Sequence, residues 1–250
     1  MTVNISFGSS GNLSQYSLSS AAPAFTSTTD VSAFTSDQIK ALTVSQVSGL
    51  TNTQVTAIAS DALVGLTNKQ MQALSTRSVA ALSTTQVSLL STTQLNALSS
   101  TQISSLTSAQ VNALTTDQLA GLRASGVSSF NTSRLASVST TQIAALSTKQ
   151  IQSLSSSAVS GMTTGQVSTL KTANLAALTT SQVASLTSAQ LNALSSTQLQ
   201  NLESTDLQAL TTSQVSALSS SQLNNLLSTQ VQKLTDTQLS ALSSTQLNAL

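Results

Sequence analysis

Apolar residues fall at every eighth position from Phe34 to Leu250, through Leu42, Leu50, Ile58 and Leu66 and on to Leu242. No insertion or deletion breaks the register, and the ladder frames 27 octads. Counted from the apolar anchor, position 6 is Val, Leu, Ile or Met in all 27. Position 2 is Ser or Thr in 21 of them, position 5 is Gln in 20, and position 8 is usually Ala, Gly or Ser. A fixed short period sustained over most of a chain marks a repeat architecture, not a globular enzyme.

Positions 2 to 5 read Ser/Thr-x-x-Gln, the pattern of a capping box. The hydroxyl accepts from the backbone N–H three residues on, and the Gln side chain reaches back to the N–H of the cap. Positions 1 and 6 then stand in the relation of a hydrophobic staple. The spacing predicts one helix per octad, capped at position 2 and about six residues long, or roughly 9 Å at ~1.5 Å per residue. Each anchor closes one helix and staples the next. Helices shorter than ~12–15 residues are marginal alone. Burying two or three side chains contributes about 5 kcal/mol, against ~1–2 kcal/mol of backbone entropy for each of the residues ordered. Stacked neighbours must supply the difference, which makes stability a nearest-neighbour property.

The expected fold is therefore all-α, an α-solenoid of very short helices. The alternative is a β-solenoid with two octads per coil, since Val, Ile, Ser and Thr all tolerate strands. Apolar spacings of five and three, the small supply of turn residues (8 Gly and 1 Pro) and the abundance of Ala and Gln favour helix. Small residues at position 8 imply close backbone approach there. Residues 34–250 are expected to form one continuous array, and residues 1–33 a leader or cap. Within the latter, residues 26–33 read as a degenerate first repeat, with Val31 in staple-like relation to Phe25. Val3, Ile5 and Phe7 alternate with polar residues, as in a short strand. The regular octad end at Leu250 suggests that the native chain continues, or that the end docks onto another copy.

Composition narrows the chemistry. Only 6% of the 250 residues are charged and 2% aromatic, and the net charge is +1. The chain has no Cys, His or Trp, which removes disulfides, Cys/His zinc sites and His acid–base catalysis. No cofactor, metal or small-molecule substrate is expected, and no catalytic residue. Glu203 and Asp206 share one octad, but they stand at the cap and third helical positions, where acids suit a helix N-terminus. Residues 122–137 are the least regular, with Arg123, Gly126 and Arg134 replacing consensus residues while the anchors Leu122, Phe130 and Val138 remain. Eight Lys and Arg spread along the chain do not form the basic stripe of a nucleic-acid binder. No stretch approaches the ~20 apolar residues of a membrane span, and no Sec signal peptide is visible.

Residues 50–60, Leu-Thr-Asn-Thr-Gln-Val-Thr-Ala-Ile-Ala-Ser, resemble the opening of a TAL-effector DNA-binding repeat. The 34-residue period and base-reading loop of that family are missing, so its function is not carried over. Residues 34–250 more closely resemble the Leu-Ser/Thr-x-x-Gln-Val-x-Ala octad arrays of very large bacterial surface or secreted proteins of adhesin-like type. That resemblance implies an extracellular spacer or filament. The expected function is structural: a rod, stalk or filament at the cell surface, its partners other copies of itself or other surface components. Leu247 and Leu250 are the candidate self-assembly residues at the open end. The alternative is a binding module whose stacked Ser/Thr files contact glycans, ice or another solenoid.

Overall fold

The computed structural model describes residue 26 and residues 28–250. Residues 1–25, which include the possible strand and Phe25, and residue 27 lie outside the described residues. Twenty-seven short helices follow one another, from α1 (Ser36–Ala41) to α27 (Ser244–Leu247), one in each octad. No strand occurs among the described residues. The β-solenoid alternative is thus contradicted: every octad holds a helix, capped by the position-2 side chain in most copies, and none holds an extended rung.

Nineteen octads carry both halves of the capping box. In the octad 106–113, Gln110 N–H donates to Thr107 Oγ1 at 3.2 Å and Thr107 N–H donates to Gln110 Oε1 at 2.7 Å. The helices end without a left-handed residue, since no described residue has positive φ. The anchor instead turns extended, as at Leu114 (φ −58°, ψ 137°), while its N–H still donates to Val111 O at 3.3 Å.

Helices pack on the helix three places along the chain. Three octads therefore make one coil of 24 residues, and the helices line up in three columns of nine. The first column begins with α1, the second with α2 (Val44–Ser48) and the third with α3 (Asn52–Ala57). The result is a solenoid-like array. Positions 1 and 6 from all three columns point inward and form one continuous apolar core, from Val31 to Leu242. Near the start, the described residues 26 and 28–33 form turns and no helix. Val31 is buried there, and Thr26 O and Thr29 O each accept from Gln54 Nε2 at 3.0 Å.

Position 8 meets position 3 of the octad one coil earlier, which explains its small residues. A Cβ on Gly65 would lie 2.1 Å from Ser36 O, and one on Gly161 would lie 2.0 Å from Thr132 Cγ2. Three of the five serines at position 8 bridge the coils through their hydroxyls: Ser137 donates to Ser108 O, Ser153 to Ala124 O and Ser185 to Ser156 O, each at 3.0 Å. The array also contains a glycine of the opposite kind. A Cβ on Gly126 would meet nothing within 4 Å. Gly65→Ala is expected to destabilise by ~1–3 kcal/mol, because backbone and not a mobile side chain stands in the way. Gly126→Ala should stabilise by roughly 0.5–1 kcal/mol through helix propensity. Urea unfolding of the two variants checks the opposite signs.

Candidate functional site

A capping box works with Glu as well as Gln at its third helical position, yet Glu never occupies position 5. The coil geometry supplies the reason. The last four carbonyls of any helix lack intrahelical partners. Every position-5 Gln from Gln54 to Gln246 donates through Nε2 to the carbonyl 28 residues before it. From Gln70 onward that carbonyl belongs to the anchor one coil earlier, which closes the helix four places back along the chain. Gln110 Nε2, for example, donates to Leu82 O at 2.6 Å and to Val79 O at 2.9 Å, at the end of α6 (Thr76–Ala81). One amide thus accepts at the start of its own helix and donates one coil down, at the end of the helix four places back, where the chain turns into the helix beneath. A carboxylate can only accept. These glutamines are mostly buried, and no buried side-chain polar atom lacks a partner among the described residues.

The second column keeps this device intact, with Ser or Thr at position 2 and Gln at position 5 in all nine octads. Every departure falls in the other two columns. Asn174 Nδ2 replaces Gln by donating to Leu146 O at 2.9 Å, and Arg134 Nε donates to Leu106 O. Ser78 Oγ reaches Leu50 O only at 3.5 Å. Ala62, Gly126 and Ala158 have no side-chain donor to offer. Beside Gly126, Asn96 takes over part of the task from one coil earlier. Its Oδ1 accepts from Arg123 N–H and its Nδ2 donates to Gly121 O, both at 2.8 Å.

The residues singled out in the sequence fall into these roles. Arg123 is a helix cap without a side-chain bond, and so is Glu203. Asp206 occupies the buried amide position, with 3% of its surface exposed. Burial, and then the charge of Glu203, raise its pKa above the ordinary carboxylate value; a hydrogen bond from the Glu203 backbone opposes this. Asp30, which is exposed, is lowered by hydrogen bonds from the Ser32 hydroxyl at 2.7 Å and N–H at 2.9 Å. Leu247 and Leu250 are 47% and 40% exposed. The structure does not bring those two leucines together with any of the charged residues named above. Among the described residues no cluster of His, Cys, Asp or Glu could hold a metal, and no helix is long and apolar enough to cross a membrane.

Asp206 gives a prediction with a definite sign. Because its pKa is higher folded than unfolded, its contribution to stability is fully present below the unfolded value. That contribution is lost as pH rises through the folded value. Asparagine has the same length as aspartate, and Asn174 reaches the carbonyl 28 residues back. An asparagine in place of Asp206 would reach Leu178 O in the same way. Asp206→Asn is therefore expected to stabilise the chain at pH 7 by about 1 kcal/mol and to flatten the loss between about pH 4 and 7. Urea midpoints at the two pH values measure both effects.

The sequence shows the capping half of the ladder and misses the bridging half. The absence of Glu at position 5 is the signal that points to it.

Short helices in fixed register, joined coil to coil by side-chain amides, define a helical repeat protein. A family model for the ALTTAQ repeat matches residues 63–100, 90–124, 135–172, 169–204 and 199–236, together more than half of the chain. The protein belongs to the ALTTAQ repeat family. The matches skip residues 125–134, the segment that holds Gly126 and ends at Arg134. No curated protein matches the chain.

Proposed function

We propose that this protein is a structural element, an extracellular α-solenoid forming a rod, stalk or filament at a bacterial cell surface, as in adhesin-like secreted proteins. The observation that carries this reading is the ladder itself. The buried glutamines are committed to joining one coil to the next, so the chain's polar interior serves extension along one axis. Nine coils at ~8–10 Å between packed helices give a rod of roughly 80 Å. The lack of His and Cys supports a non-enzymatic role without cofactor, metal, small-molecule substrate or nucleic acid. The partners are other copies of the chain or other surface components, meeting the exposed Leu247 and Leu250.

Negative-stain images of the purified chain should show thin rods of that length; compact particles would contradict the proposal. End-to-end joining predicts filaments that grow with concentration and shorten when Leu247→Glu and Leu250→Glu are combined. Unchanged filaments would remove those two residues from the contact.

A second reading has one observation in its favour. In five successive coils of the first column, position 4 is an exposed hydroxyl residue: Ser133, Ser157, Ser181, Thr205 and Thr229. Such a file suits a glycan, an ice surface or another solenoid. Glycan-array binding or thermal hysteresis that disappears when the file is changed to Val would bring this reading forward.

A further inference from the structure

Charges that look scattered in the sequence are sorted by the coil. The third column takes the octad anchored at Leu50 and every third octad after it, to Leu242. It contains Arg77, Arg123, Lys149 and Lys171 and no Asp or Glu. The first column mixes Asp37, Asp61, Glu203 and Asp206 with Lys40, Arg134 and Lys233, and the second mixes Asp117 and Asp236 with Lys69. A chain whose net charge is only +1 thus carries one face with four cations and no carboxylate. All four are exposed, and Arg123, Lys149 and Lys171 lie in three successive coils. None of them makes an ion pair among the described residues.

Local physics disfavours cations at these places. Arg123 and Lys171 stand at helix caps, where most octads use Ser or Thr, and neither makes a side-chain cap bond. Arg77 and Lys149 lie in the first turns of their helices, where the helix dipole favours anions. In the other two columns, first-turn charges are mostly acidic, Asp37, Asp61, Asp117, Asp206 and Asp236 against Lys69 and Arg134. Four cations that gain nothing from their own helices, all on one face, point outward to a partner.

We propose that the third column binds an acidic polysaccharide, a chain of sugars carrying spaced carboxylates. Cation spacing favours this over nucleic acid. One cation per coil is one per ~8–10 Å, whereas duplex DNA carries a charge every ~1.7 Å and binds through dense neutralisation. The column has no aromatic residue on which bases could stack. Its remaining exposed side chains are chiefly Ser, Thr, Asn and Gln, which match sugar hydroxyls. Each contact is weak, and successive coils add them along one polymer.

The test is affinity electrophoresis of the full chain at low salt in gels containing polygalacturonate, neutral dextran or duplex DNA. Two triple variants are compared, R123Q/K149Q/K171Q on the third column and K40Q/K69Q/K233Q on the other two; both remove three positive charges. Polygalacturonate should retard the wild type, dextran should not, and added salt should release it. The third-column variant should bind about tenfold more weakly, and the other variant within about twofold of wild type. R123K/K149R/K171R, which keeps the charges, should retain binding and so separates lost contacts from lost folding. No retardation by polygalacturonate, equal weakening of both triple variants, or tighter retention by DNA would overturn the proposal. Any of these outcomes leaves the rod reading to its own imaging test.

Discussion

Replacing Gln110 by Glu is expected to lower stability at pH 7 by about 3–5 kcal/mol, the cost of an uncompensated buried charge. The substitution keeps size, helix propensity and the acceptor that holds Thr107 N–H. It removes the donor to Leu82 O and Val79 O and sets a carboxylate oxygen against both carbonyls. Gln110 is 2% exposed, so water cannot take the place of the lost partner. Protonation restores one O–H donor, and the variant's folded pKa lies above its unfolded value. Its deficit therefore shrinks as pH falls toward about 4. Gln110→Met, which lacks both donor and charge, should cost less, about 1–3 kcal/mol, and show no such recovery. Urea unfolding at the two pH values separates these cases. A Glu variant within about 1 kcal/mol of wild type at pH 7 would mean that Gln serves only as a cap.

Phe130→Ala should cost a similar amount, ~3–5 kcal/mol. Phe130 is the bulkiest fully buried side chain among the described residues. It also stands where the ladder is thinnest. Ala158, one coil on, cannot donate to Phe130 O, and Gly126 in the preceding octad has no side chain to offer Leu98 O. Apolar contact must hold these coils with fewer amide bridges than their neighbours have. In an array stabilised by adjacent units, the damage stays local at first. Amide hydrogen exchange should accelerate across residues 122–161 well before the octads near Gln54 or Gln214 respond. Uniform acceleration along the chain would instead indicate a single cooperative unit.

What the sequence made visible follows from the range of each interaction. Thr107 and Gln110 are three residues apart, so their box is written inside one octad and repeats with it. The pairing of position 1 with position 6 is equally local, and Leu106 and Val111 are both buried as that pairing requires. The coil was hidden because its contacts span 24 to 31 residues. Whether an array closes after two octads or three depends on side-chain shape at the column contacts, as where Gly65 meets Ser36. Two signs were present nonetheless: Gln to the exclusion of Glu at position 5, and small residues at position 8. The irregular residues 122–137 looked like drift around kept anchors. The structure finds a gap at Gly126, bridged in part by Asn96, and a substitute donor at Arg134. The charged face could not be read before the period of 24 was known, since Arg123 and Lys149 share a column only once three octads are counted to the coil.

Distances between spin labels test the coil of three octads most directly. The chain has no native Cys, so labels can be placed in pairs at exposed sites. From Ser133, labels at Ser157, Ser181 and Thr205 should lie at distances increasing by about 8–10 Å per coil. The partner at Lys149, though nearer in sequence, sits in another column and should depart from that series. A shortest separation at Lys149, repeating every 16 residues, would contradict the three-octad coil and the glutamine ladder with it.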